Sequence, residues 1–210
     1  MDFGPVTDSL RAELDTKLTA RESALSSSRS AIRACGNAIR ALHRYEFDAV
    51  TKLLDEAEAE LDRARKALER HPDMLYAGFV HDAEKEFAEA RITSALVHDE
   101  DLPTVDELRV SAQAYLKGMA ESIGELRRHI LDLMRHGELD RCEKLLGSMD
   151  DMYYVLVSMD YPDGITYGLR RLTDIARSII ERTRGDFTTS TIQSSLRAAL
   201  EQREADLGRS

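Results

Sequence analysis

Two stretches of the chain carry carboxylates at spacings that place them on one side of a helix. Glu86 and Glu89 are three residues apart, with Asp82 one turn earlier, and Glu121 and Glu125 are four apart. Residues at these separations are neighbours on a helix surface. Converging carboxylate oxygens suit a hard divalent cation, Mg²⁺ or Mn²⁺. An ion held there can activate water and stabilise charge during hydrolysis of a phosphodiester. The alternative is a pair of solvated acidic faces: Asp and Glu number 39, so same-face acidic pairs also arise by chance. Spacing alone leaves both readings open.

The elements that must carry these residues are helices. Apolar residues recur at helical spacing along the whole chain and nowhere alternate as a strand requires. The pattern predicts an all-α fold of about six or seven antiparallel helices in a bundle, forming one domain over residues 1–210. The first helix runs from about Thr7 to Arg44, with Ser26-Ser27-Ser28 as a place where it could bend. A second covers about Asp48 to Glu69, with Val50, Leu53, Leu54, Ala57, Leu61 and Ala64 inward, and His71-Pro72-Asp73 ends it. The third, about Leu75 to Val97, holds Glu86 and Glu89 near the edge of a face formed by Phe79, Ala83, Phe87 and Ala90. Thr104, with Glu107 three residues on, forms a capping-box pattern that opens a long fourth helix, ended by Gly137. In that helix Leu116, Met119, Ile123, Leu126, Ile130 and Leu133 make the apolar seam, and Glu121 and Glu125 lie roughly opposite it. A fifth helix spans about Leu139 to Met159, and Tyr161-Pro162-Asp163-Gly164 reads as a turn. A sixth covers about Ile165 to Arg184, Gly185-Asp186 breaks it, and a last helix follows from Thr188 to about Leu207.

Composition narrows the function classes. The formal charge of −10 excludes a generally basic nucleic-acid surface, so any polyanion site must be a local concentration of Arg. Cys35 and Cys142 lie far apart in apolar helical patterns and read as reduced core thiols, which points to the cytoplasm. The N-terminus lacks a basic and apolar leader pattern, and no apolar run approaches membrane-spanning length. There is no Cys/His zinc spacing, no Gly-rich phosphate loop, and no Glu-x-x-His pattern of a di-iron bundle. His43, His81 and His129 stand singly on long helices, where packing or capping is the expected role, and Tyr153 and Tyr154 are expected to pack between helices.

The segment Tyr115-Leu116-Lys117-Gly118-Met119-Ala120-Glu121-Ser122-Ile123-Gly124-Glu125-Leu126-Arg127-Arg128 resembles the hallmark helix of the translin and translin-associated factor X family. Lys85-Glu86-Phe87-Ala88-Glu89-Ala90 is similar to a second motif, found in the family's catalytic branch. The C-terminal Leu169–Asp174 and Glu181–Asp186 also look like archaeal-type members. The resemblance, strongest from Leu75 to Asp186, implies that Glu86, Glu89, Glu121 and Glu125 are metal-binding and catalytic residues. The catalytic branch has Asp where this chain has Glu121, one methylene longer. Toward the N-terminus, Ser28-Arg29 and His43-Arg44 keep a family spacing, while Gly36-Asn37 replace a basic pair. Arg29, Arg33, Arg40 and Arg44 share one helix face and could neutralise RNA phosphates, or could be paired surface charge. Arg170, Arg177 and Arg184 recur every seven residues, as an RNA-facing row or as interhelical ion-pair partners.

Family members form closed, hollow octamers with RNA enclosed. The resemblance therefore implies a metal-dependent endoribonuclease acting on short or structured RNA inside a homo-oligomer. The alternative is a non-catalytic binder of RNA or single-stranded DNA, and a third reading is a helical scaffold without a nucleic-acid role.

Overall fold

The computed structural model describes residues 3–75 and 78–207, and among these the chain is helical with no strand. Eight α-helices follow in order: α1 (Gly4–Leu42), α2 (Phe47–Ala67), α3 (Gly78–His98), α4 (Val105–Leu108), α5 (Ala112–His136), α6 (Leu139–Ser158), α7 (Asp163–Thr166) and α8 (Leu169–Leu207). A 3-10 turn, Pro72–Met74, stands between α2 and α3. The expected start of the third helix at Leu75 precedes Tyr76 and Ala77, which lie outside the described residues. No helix among the described residues is long and apolar enough to cross a membrane.

Contacts divide the chain into two compact units, one of Met1–Ala95 and Asp101–Gly118, the other of Leu96–Glu100 and Met119–Ser210. Of the three divisions, one falls inside α3, one in the loop between α3 and α4, and one inside α5. In the first unit α1 and α2 form a helical hairpin. The face α1 buries is made of small residues, Ala24, Ser28, Ala31, Ala34, Cys35 and Ala38, which lets α2 approach with Val50, Leu54, Ala57, Leu61 and Ala64. Ala24, Ala64, Leu68 and Val80 close one end of that core. In the second unit α6 turns Cys142, Leu145, Leu146, Met149, Met152 and Leu156 inward. From α8 it buries Leu169, Ala176, Ile180 and Thr183.

Several expected boundaries shift. α1 begins at Gly4, with Pro5 in its first turn, and the Ser26–Ser28 run does not interrupt it: Ser28 is buried against the hairpin core. The expected long fourth helix is two. Thr104 does cap α4, accepting from the Glu107 amide at 3.2 Å while its own amide donates to Glu107 at 2.7 Å. After one turn, Arg109 takes a left-handed conformation (φ 54°), and α5 starts afresh at Ala112. Gly137, at φ 78°, ends α5 as expected.

Near the C-terminus the reverse happens. Asp163–Thr166 is a single turn closed by Tyr167 and Gly168, both at positive φ. α8 then runs through Gly185-Asp186 without a break. A glycine weakens a helix by only about 1 kcal/mol, and two ion pairs straddle it: Arg184 to Asp150 at 2.7 Å and Asp186 to Arg127 at 2.8 Å. Tyr153 is half-buried, but Tyr154 is exposed, and its ring lies 6.3 Å from that of Tyr153 on the same helix rather than between helices.

Candidate metal centre

Glu86 and Glu89 sit in the middle of α3, flanked by the buried Ala83, Phe87 and Ala90. That phase leaves Glu86 half-buried and takes Glu89 inside, at 8% exposure. The partner helix is brought in by Gly118. A Cβ at this position would lie 2.7 Å from the amide nitrogen of Glu89 and 2.8 Å from both the Ala88 Cβ and the Lys85 carbonyl oxygen. Only glycine permits α5 to lie so close to this turn of α3.

One turn beyond Gly118, Glu121 completes the cluster: Glu86, Glu89 and Glu121 each offer a carboxylate oxygen within 4.8 Å of the others. The face of α5 carrying the glutamates is not the solvent face. Ala114, Gly118, Ser122 and His129 on that side are buried, so Glu121 and Glu125 are half-buried within the chain itself. Glu125 stands one turn past Glu121 and is outside the group of three.

The donor set fits a hard cation. Ligand oxygens around a six-coordinate ion with bonds of about 2.1 Å lie roughly 3–4 Å apart, a little closer than the 4.8 Å within which these three oxygens stand. Gathering three carboxylates at a partly buried place is costly without a compensating positive charge. Lys85 supplies part of that charge, pairing with Glu86 at 2.9 Å.

Cys35, on the buried face of α1, is the nearest thiol, pushed up to about 12 by burial and by the carboxylates of Glu86 and Glu89. It is a neutral thiol at physiological pH, neither a nucleophile nor a thiolate ligand. Cys142 is likewise buried, its thiol raised to about 11 chiefly by burial, and both cysteines are free.

Arg29, Arg33 and Arg40 are exposed and share a face of α1, whereas Arg44, also exposed, falls in the turn after the helix has ended at Leu42. That face is opposite the one carrying Ala31, Cys35 and Ala38, so within one chain the row points away from the carboxylates. Its polar contacts are local: Arg33 donates to Ser30 at 2.9 Å, Arg40 to Asn37, and Arg44 to Glu46 at 2.8 Å. Of the C-terminal arginines, Arg184 makes the interhelical pair with Asp150, whereas Arg177 pairs along its own helix with Glu181 at 2.9 Å. His129 is buried, as a packing histidine should be.

Two features of the site escape sequence patterning. Gly118 is visible in the motif, but nothing local says which helix it faces. Ser111 and Glu84, which anchor the start of α5, match no motif.

No protein-family model matches the chain. The uncharacterized protein MJ0175 of Methanocaldococcus jannaschii is 32% identical over 178 residues, covering 84% of this chain and 78% of that protein. A crystal structure of AfC3PO superposes with a TM-score of 0.82 at 28% identity, covering 89% of this chain and 97% of that one. A complex of AfC3PO with duplex RNA matches over the same shares with a TM-score of 0.71. Apo-NeC3PO, at 18% identity, shares the fold with a TM-score of 0.81 over 90% of this chain and 100% of that one.

These likenesses define the class as all-helical chains of the C3PO, translin-type fold. The identity to the M. jannaschii protein extends over most of both chains and shows common family membership. This chain belongs to the translin family.

Proposed function

We propose that the chain is a metal-dependent endoribonuclease of the catalytic, translin-associated factor X-like branch, cutting short or structured RNA inside a hollow homo-oligomer. The observation that carries this reading is the meeting of Glu86, Glu89 and Glu121 within 4.8 Å across two helices. Three carboxylate oxygens gathered from separate turns are the donor type and spacing that suit a hard cation. Glu86, Glu89 and Glu121 would hold the ion, and Glu125, a turn away, would orient water. Mg²⁺ or Mn²⁺, when bound there, would supply Lewis acidity and lower the pKa of a bound water.

RNA as substrate is supported by the AfC3PO relative, whose structure with duplex RNA shares this fold. The chain's net charge of −10 requires that attraction be local. Because the α1 arginine row faces away from the carboxylates of its own chain, it acts on RNA held at the site of a neighbouring copy. Assembly is supported by apolar residues with no cover in the chain: Val6, Leu10, Leu14 and Leu18 on α1, and Ile192, Leu196 and Leu200 on α8, are each more than half exposed. An octamer is the expected closed form. Two buried free thiols suit the cytoplasm.

The Lys85–Glu86 ion pair also favours a second reading, since it balances part of the cluster without a metal. In that reading the protein holds RNA or single-stranded DNA without cutting it.

The test is cleavage of a labelled short RNA in Mg²⁺, Mn²⁺ or EDTA by wild type, Glu86→Gln and Glu89→Gln purified identically. We expect metal-dependent cleavage that falls by about a hundredfold or more in each variant, because even indirect supports of metal ligands are worth 10–100-fold. Retained RNA binding without cleavage by wild type would establish the binding protein instead. Equal cleavage by all three would remove these glutamates from the chemistry.

A further inference from the structure

Among the contacts that pin α5 to the rest of the first unit, two bear on the carboxylate cluster, one beside it and one at the helix start, and between them the Tyr115 hydroxyl donates to the Pro103 carbonyl at 2.7 Å. Gly118 gives the close approach to Lys85, Ala88 and Glu89. The other place is the helix start, where the chain re-enters a helix after Arg109. There the Ser111 amide and hydroxyl both donate to one carboxylate oxygen of Glu84, at 3.1 and 3.0 Å. The Ser111 hydroxyl oxygen in turn accepts from the Ala114 amide at 3.3 Å, capping α5.

The other carboxylate oxygen of Glu84 accepts from Arg65 at 3.2 Å. Arg65 also donates to the Arg109 carbonyl at 2.6 Å, and the Arg109 side chain reaches Glu58 and Asp62 on α2 at 2.9 and 3.0 Å. His81 Nδ1 lies 3.4 Å from the Ser111 hydroxyl. Glu84 thus gathers α2, α3 and the first turn of α5 around one half-buried carboxylate.

We infer that Glu84 is a positioning residue for the metal centre: by holding Ser111 it sets where Glu121 meets Glu86 and Glu89. The inference rests on the proposed metal site and adds to it a residue that touches neither ion nor RNA. A helix rises about 1.5 Å per residue, so Ser111 lies roughly 10 Å before Gly118 and Glu121 roughly 4.5 Å after it. With Gly118 as the fulcrum, a drift of about 3 Å at an unlatched Ser111 moves Glu121 by roughly 1.3 Å. Metal–ligand distances tolerate only about 0.2 Å. Contact at Gly118 alone leaves this pivot open; the Tyr115–Pro103 bond ties α5 to the loop before α4, and the Glu84–Ser111 latch ties its first turn to α3, the helix that carries Glu86 and Glu89.

The experiment measures Mn²⁺ affinity by electron paramagnetic resonance on wild type, Glu84→Ala, Glu84→Gln, Ser111→Ala and Glu86→Gln, each checked for native circular dichroism. We expect at least tenfold weaker Mn²⁺ binding in Glu84→Ala, with recovery to within about threefold of wild type in Glu84→Gln, whose amide oxygen still accepts from Ser111. Both variants lose the same charge, so the difference between them isolates the hydrogen-bonded latch from simple electrostatics. Ser111→Ala should fall between them, and it supplies the answer if Glu84→Ala does not fold. Wild-type affinity in Glu84→Ala or Ser111→Ala, beside a loss in Glu86→Gln, would overturn the latch while leaving the metal site standing. Equal weakening in Glu84→Ala and Glu84→Gln would also overturn it. Absence of Mn²⁺ binding by wild type would overturn the metal site and the latch with it.

Discussion

Cys35 shows what the carboxylate cluster does to a neighbour. Its thiol stands at about 12 against an ordinary 9.0, raised first by burial and then by Glu86 and Glu89. The folded chain therefore keeps this proton where the unfolded chain has lost it. Stability is fully present below pH 9 and falls as pH rises toward 12, by up to about 1.4 kcal/mol for each pH unit. Urea unfolding in EDTA at pH 8 and pH 10.5 should show wild type losing about 2 kcal/mol more than Cys35→Ala. Equal losses would place the thiol outside the influence assigned to it. The burial of Cys35 was legible from its apolar pattern, but its closeness to Glu86 and Glu89 was not, because α1 and α3 are separated by the whole of α2.

At the scale of elements, two glycines of the same motif have opposite roles. Gly118 touches α3 where no Cβ fits, while nothing lies within 4 Å of a Cβ at Gly124. Gly118→Ala should cost about 1–3 kcal/mol through overpacking and, by pushing α5 off α3, weaken Mn²⁺ binding. Gly124→Ala, equally close to the glutamates in sequence, should raise stability by about 0.5–1 kcal/mol and leave Mn²⁺ affinity unchanged. Thermal melting and Mn²⁺ titration of the two variants check both statements, and a shared response would mean that Gly118 is not a contact point. The same local logic explains the boundaries. The capping box at Thr104 and the stop at Gly137 are short-range signals and were readable. The restart at Arg109–Ala112 depends on Glu84 and Arg65, and the continuity of α8 through Gly185 is braced by Asp150 and Arg127, all distant in sequence.

At the scale of the molecule, the apolar stripes on the first turns of α1 and the last turns of α8 matter most. Leu10 and Leu14 are 56% and 63% exposed, although burying a leucine is worth about 1.5–3 kcal/mol. A chain that leaves such residues uncovered gains by associating with copies of itself. Light scattering at micromolar concentration should give a multiple of the 23.7 kDa chain mass. Leu10→Glu with Leu14→Glu should lower it while preserving helicity. A wild-type monomer would refute the enclosed assembly. Assembly also bears on the arginine row, which reaches RNA at a neighbouring site only if copies meet.

The sequence by itself determined the helical class, the helix start at Thr104 and the helix end at Gly137, the neutral buried cysteines, and the four glutamates worth testing. Each rests on periodicity or on residues within a turn or two of one another, where helix geometry alone sets the outcome. Tertiary structure decided which glutamates meet, that their face of α5 is covered rather than exposed, and that the α1 arginines point away from them. Those outcomes depend on the phase at which one helix lies against another. That phase is set by single close contacts such as Gly118 on Ala88, and by cross-helix hydrogen bonds such as Ser111 to Glu84.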